Sequence, residues 1–138
     1  MAGSVVVESF FVVEYEYGGS PGWNYAPQVV VSSPAGGSGV YADLSNLSVP
    51  GVGTVSGPAT CRRVASGARV SLVDEVYGDY EFSMSNSGNR ASGGEATIVL
   101  SAVDGLGTIN RLTLRGPIVP GALPSTYSGG PSRDSLCR

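Results

Sequence analysis

Glycine, proline and serine interrupt this chain every few residues, and no window of a dozen carries an apolar stripe at the i, i+3, i+4, i+7 spacing of an amphipathic helix. That property removes helical and α/β architectures from consideration. What recurs instead is alternation, the period of a strand with one face buried. Ala96, Ile98, Leu100 and Ala102 alternate with Thr97, Val99 and Ser101. After the Asp104-Gly105 turn, Leu112 and Leu114 alternate with Arg111, Thr113 and Arg115. This predicts a β-hairpin with its loop near "VDGLGT".

The opening stretch "VVVESFFVVEYEY", Val5 to Tyr17, is β-branched and aromatic with three Glu as its only charges. Its odd positions, Val5, Val7, Phe11, Val13, Tyr15 and Tyr17, predict a core face. Its even positions carry Glu8, Glu14 and Glu16 but also Phe10 and Val12. Fully extended it spans about 43 Å, so it either bends to serve two sheets or projects beyond a small domain. Further strands are expected at Gln28–Ser32, Val40–Leu44, Thr60–Val64, Ala68–Val73 and Tyr80–Met84. The whole predicts an all-β, antiparallel β-sandwich of about seven to eight strands, immunoglobulin-like or jelly-roll-like, over residues 1–116. From residue 117 to 138 the chain holds four prolines and no periodicity, which predicts an extended C-terminal arm.

Charge constrains the surface. Only 14% of the 138 residues are charged, against about 25% in typical soluble domains. Lys and His are absent, so all eight positive charges are Arg. A surface so poor in charge is expected to be covered by neighbouring protein subunits, as homo-oligomer, shell protein or both. A net charge of −3 with one adjacent basic pair, Arg62-Arg63, argues against nucleic acid. No basic start precedes the apolar opening run and nothing approaches a membrane-spanning helix, so neither secretion nor membrane insertion is expected.

Without His or Lys, the commonest general base, Schiff-base chemistry and the P-loop lysine are all missing. A non-enzymatic protein without cofactors is expected. The densest acidic group, Asp74, Glu75, Asp79 and Glu81, reads as turn and solvent-face residues, with a Ca²⁺ site as the sharper alternative. Glu14 and Glu16 read as a solvated or Arg-paired edge. Trp23 and Tyr25 would plug one end of the fold, join an interface or form a sugar platform. Cys61 and Cys137 are either reduced thiols or a bridge within or between chains. The apolar residues expected to meet another subunit are Phe10, Val12, Trp23, Tyr25, Ile118, Val119, Leu123 and Tyr127.

In length, low charge and proline-punctuated tail, the chain resembles the small acidic β-proteins of tailed-phage particles, the capsid-decoration and head-fibre proteins. The resemblance implies a virion protein made in the host cytoplasm, and it carries no functional residues across. The segment "ATIVLSAVDGLGTINRLTLRG" also looks like the last two strands of immunoglobulin-like repeats of bacterial surface and phage tail proteins. That likeness implies a module recognising a glycan or a protein. The Cys…Trp…Cys order of true immunoglobulin domains is absent, since Trp23 precedes both cysteines.

Overall fold

The computed structural model describes residues 5–16, 23–37, 39–55, 61–72, 90–91, 93–104 and 107–121. They form eight strands: β1 (Val6–Glu16), β2 (Trp23–Ser32), β3 (Val40–Val49), β4 (Gly53–Val55), β5 (Cys61–Val64), β6 (Arg69–Ser71), β7 (Glu95–Val103) and β8 (Ile109–Pro120). Among the described residues there is no helix, and the expected all-β class holds. The strands make one sheet in the order β4-β3-β7-β8-β1-β2-β6, with β5 also on β3.

The sequence suggested purely antiparallel pairing, but the sheet is mixed. β1 and β8 run parallel, joined by Val12↔Ile118, Val13↔Val119 and Glu14↔Pro120. β8 serves two neighbours in turn. Ile109 to Pro117 pair antiparallel with β7, and Ile118 to Pro120 pair with β1. The expected arm therefore begins inside a strand, with Ile118 and Val119 in the sheet. Residues 122–138, including Leu123, Tyr127 and Cys137, lie outside the described residues, as do Tyr80–Met84.

β1 also departs from the simple alternation. Val7 pairs with Val31 but Ser9 pairs with Val30, so Glu8 is an extra residue in the ladder. A β-bulge of this kind exchanges the faces of the strand beyond it, although Tyr15, expected on the core face, is buried as well. Before it, Val5 and Val7 pack against the core; after it, Phe10, Val12 and Glu14 turn inward. Phe11, read from sequence as core, is 36% exposed. β3 repeats the device. Val40, Ala42 and Leu44 are buried, then Leu47 and Val49, with exposed Asn46 at φ 55 where the register against β7 shifts.

One core joins both halves of the sheet. Val12, Val29 and Val31 from β1 and β2 share a cluster with Leu44, Leu47, Val49, Ile98, Leu100 and Leu114 from β3, β7 and β8. Each such burial contributes roughly 1.5–3 kcal/mol. Strands are the only regular elements among the described residues, and the core cluster draws on both halves of the one sheet. β1 comes close to β8 at Gly116, just before the paired stretch Ile118 to Pro120. A Cβ there would lie 2.5 Å from the Phe10 carbonyl oxygen and 2.7 Å from Phe10 Cδ2. The next residue, Pro117, has no N–H to offer a ladder.

Gly116→Ala should therefore destabilise the fold by about 1–3 kcal/mol in urea unfolding, the range for overpacking. Gly37→Ala, with only the Pro34 carbonyl oxygen at 3.7 Å from its Cβ position, is the control and should change stability less. Equal effects would contradict the close approach of β1 to β8.

Candidate functional site

The β1–β2 register sets Glu14 opposite Tyr25, on the inward faces of both strands. Glu14 is 8% exposed and Tyr25 fully buried. A buried carboxylate is tolerable only when its charge is met and its oxygens accept hydrogen bonds. Both conditions are satisfied here. The Tyr25 hydroxyl donates to Glu14 Oε2 at 2.7 Å, and Arg90 Nε–H donates to Glu14 Oε1 at 3.0 Å. The Ala91 backbone N–H donates in turn to the Tyr25 oxygen at 2.8 Å. The Arg90 guanidinium lies 3.9 Å from the centre of the Trp23 ring, a cation–π geometry. Trp23 is half-buried against the core.

These five residues form a polar clasp that holds the segment entering β7 onto the β1–β2 pair. The chemistry is that of a fastener. Both Glu14 oxygens are engaged, and burial, followed by the hydrogen bond to Glu14, pushes the Tyr25 hydroxyl from 10.0 up to about 12. A phenol held that high stays protonated and donating throughout the neutral range.

The structure redistributes the residues singled out by sequence. Val12 and Tyr25 have no exposed surface, so neither is an interface residue of the folded chain. They belong to its own core because the bulge at Glu8 turned Val12 inward and the register turned Tyr25 toward Glu14. Phe10 and Ile118 are half-buried against that core, and Val119 is half-buried in β8. Tyr25 is inside, and Arg90 lies over one face of the half-buried Trp23 ring. Among the described residues the exposed large apolar side chains are Val6 (53%), Phe11, Ile109 (41%) and Leu112 (51%).

Glu14 does meet an Arg, as one sequence reading allowed. Its partner Arg90 lies 76 positions away, and no spacing rule connects it to β1. Glu8 accepts from the Ser32 hydroxyl at 2.8 Å, with Arg69 at 3.9 Å. Asp74, Glu75, Asp79 and Glu81 lie outside the described residues; among those described, no group of three or more His, Cys, Asp or Glu could hold a metal ion. Cys61 begins β5 opposite Asp43, and its proposed mate Cys137 is outside the described residues.

Comparison by sequence finds no matching protein family and no curated protein of detectable similarity.

The clasp makes a pH prediction. Because folding raises the Tyr25 pKa, its contribution is fully present below pH 10 and is lost as pH rises through 10 toward 12. Two units correspond to about 3 kcal/mol. Urea unfolding over this range should show the wild type losing stability more steeply than Tyr25→Phe. At neutral pH Tyr25→Phe should itself cost about 1–3 kcal/mol, since it leaves the Ala91 N–H without its acceptor. Parallel pH profiles for the two proteins would contradict the assignment.

Proposed function

We propose that this is a non-enzymatic structural protein of a multi-subunit particle, a virus or phage capsid or capsid-decoration subunit that works through contacts with other protein subunits. The observation that carries this reading is the weakly charged surface. With 14% charged residues, it leaves Val6, Phe11, Ile109 and Leu112 in water. Solitary soluble domains keep such surfaces rich in mixed charge; subunits cover them with neighbours. The clasp fits the same reading, since its one buried carboxylate serves to hold the fold.

The strand order favours a second reading, an immunoglobulin-type binding module. The neighbours β1-β2-β6 and β3-β7-β8 follow the A-B-E and C-F-G orders of that fold. On this lettering the β7–β8 hairpin is the F–G pair, as its sequence suggested. Such a module would recognise its partner with surfaces other than the buried Tyr25.

Mass spectrometry of purified particles from the source cells tests the first reading. The chain should be present at a fixed ratio to the shell protein and survive salt washing. Recovery only as a free 14.0 kDa species in the soluble fraction would contradict it.

A further inference from the structure

The arginines of this chain are not scattered. Among the described residues Arg62 and Arg63 lie on β5, Arg69 on β6, and Arg111 and Arg115 on β8; Arg90 alone stands off the strands. Among the described residues β5 and β6 each pair on one side only, and β8 has no partner beyond β7 from Ile109 to Pro117. The acids of the described strands sit elsewhere: Glu8, Glu14 and Glu16 on β1, Asp43 on β3 and Glu95 on β7. In a protein without Lys, Arg guards the open edges against indiscriminate strand pairing. β1 between Val6 and Phe11 also lacks a second described partner. There the bulge at Glu8 breaks the ladder, and Ser32 and Arg69 engage the carboxylate.

The β8 edge is the longest of these and the most regular. Arg111 and Arg115 are exposed on its outer face, four residues or about 13 Å apart. Neither makes a hydrogen bond or ion pair among the described residues. Across the β7 ladder they face Ser101 and Thr97. Glu95, diagonal to Arg115 by register, forms no ion pair with it. On the opposite face of the strand, Leu112 is half in water. Among the described residues the edge thus has no second strand beside it from Ile109 to Arg115, two positive charges in register without an ion pair, and one apolar contact.

We infer that the Ile109–Arg115 edge of β8 docks an extended acidic segment of a different polypeptide by strand addition. Main-chain hydrogen bonds would supply the attachment, and carboxylates four residues apart would face Arg111 and Arg115. A second copy is a poor occupant. A two-fold pairing of β8 with itself gathers four arginines on one face, and in the register centred on Thr113 sets Arg111 directly opposite Arg115. The edges of β5 and β6 carry Arg as well. The inference rests on the proposed role as a particle subunit and names the surface and partner chemistry through which that role is exercised.

The probe is a short alternating Val/Thr peptide carrying two Glu spaced to face Arg111 and Arg115, with a Lys counterpart as control, titrated into the full chain and followed by NMR. The Glu peptide should bind saturably and shift the amides of residues 109–115, and the Lys peptide should bind roughly tenfold more weakly. Arg111→Glu/Arg115→Glu should reverse that preference; both substitutions are on exposed positions, so folding is retained. Equal binding of both peptides, no saturable binding, or shifts confined to other strands would overturn the inference. So would concentration-dependent shifts of the same amides without peptide, which would assign the edge to a second copy. If the chain binds the Glu peptide but is missing from particles, the particle role fails and the edge stands. If the doubly substituted chain still enters particles normally, the edge fails and the role stands.

Discussion

Three residue pairs decide the architecture. Val12, Val13 and Glu14 lie parallel to Ile118, Val119 and Pro120, and this contact joins the first strand of the sequence to the last described one. β1 otherwise belongs with β2, and β8 otherwise belongs with β7. Their shared stretch connects the two halves of the sheet and lets them close on a single core. The local sequence is adapted to that contact. Gly116 leaves room for the Phe10 carbonyl, Pro117 ends the β7 ladder without an unmet donor, and the Gly121 N–H reaches the Glu14 carbonyl at 3.0 Å. Glu14 therefore acts twice, through its backbone against the end of β8 and through its side chain in the clasp.

A chain this short of ionic groups places the ones it has where their effect is large. Glu14 is buried with a phenol and a guanidinium on its two oxygens, where low polarity strengthens each hydrogen bond. The remaining described arginines lie on strands with open edges, where charge discourages stray pairing. Ser, Thr and isolated apolar residues supply much of the remaining surface.

Where alternation is uninterrupted, the sequence was readable. The β7–β8 hairpin, its loop and its inward residues Ala96, Ile98, Leu100 and Leu114 follow directly from period two. Reading failed at the bulges. One extra residue at Glu8 exchanged the faces of β1, so Phe11 was placed inside and Val12 on an outer surface, the reverse of what is found. At Asn46 the same shift hid the second half of β3, which runs to Val49 rather than stopping at Leu44. Nothing in a single sequence marks which residue of a strand will be the extra one, because the choice depends on the partner strand. The clasp was half legible. An Arg partner for Glu14 could be expected from charge, but that it would be Arg90, with Tyr25 between them, depends on tertiary contact across 76 positions. The parallel joint was hidden for a further reason: Ile118 and Val119 sit between prolines, and proline argues against a ladder unless the strand changes partner there.

Amide hydrogen exchange at the end of β8 tests that joint most directly. If Ile118 to Pro120 close the sheet, the Gly121 N–H, donated to Glu14, should exchange only on global unfolding, as slowly as amides in the middle of β7. Exchange of Gly121 at the rate of an unstructured peptide, with β7 still protected, would show that β8 ends near Gly116 and that the fold does not depend on its pairing with β1.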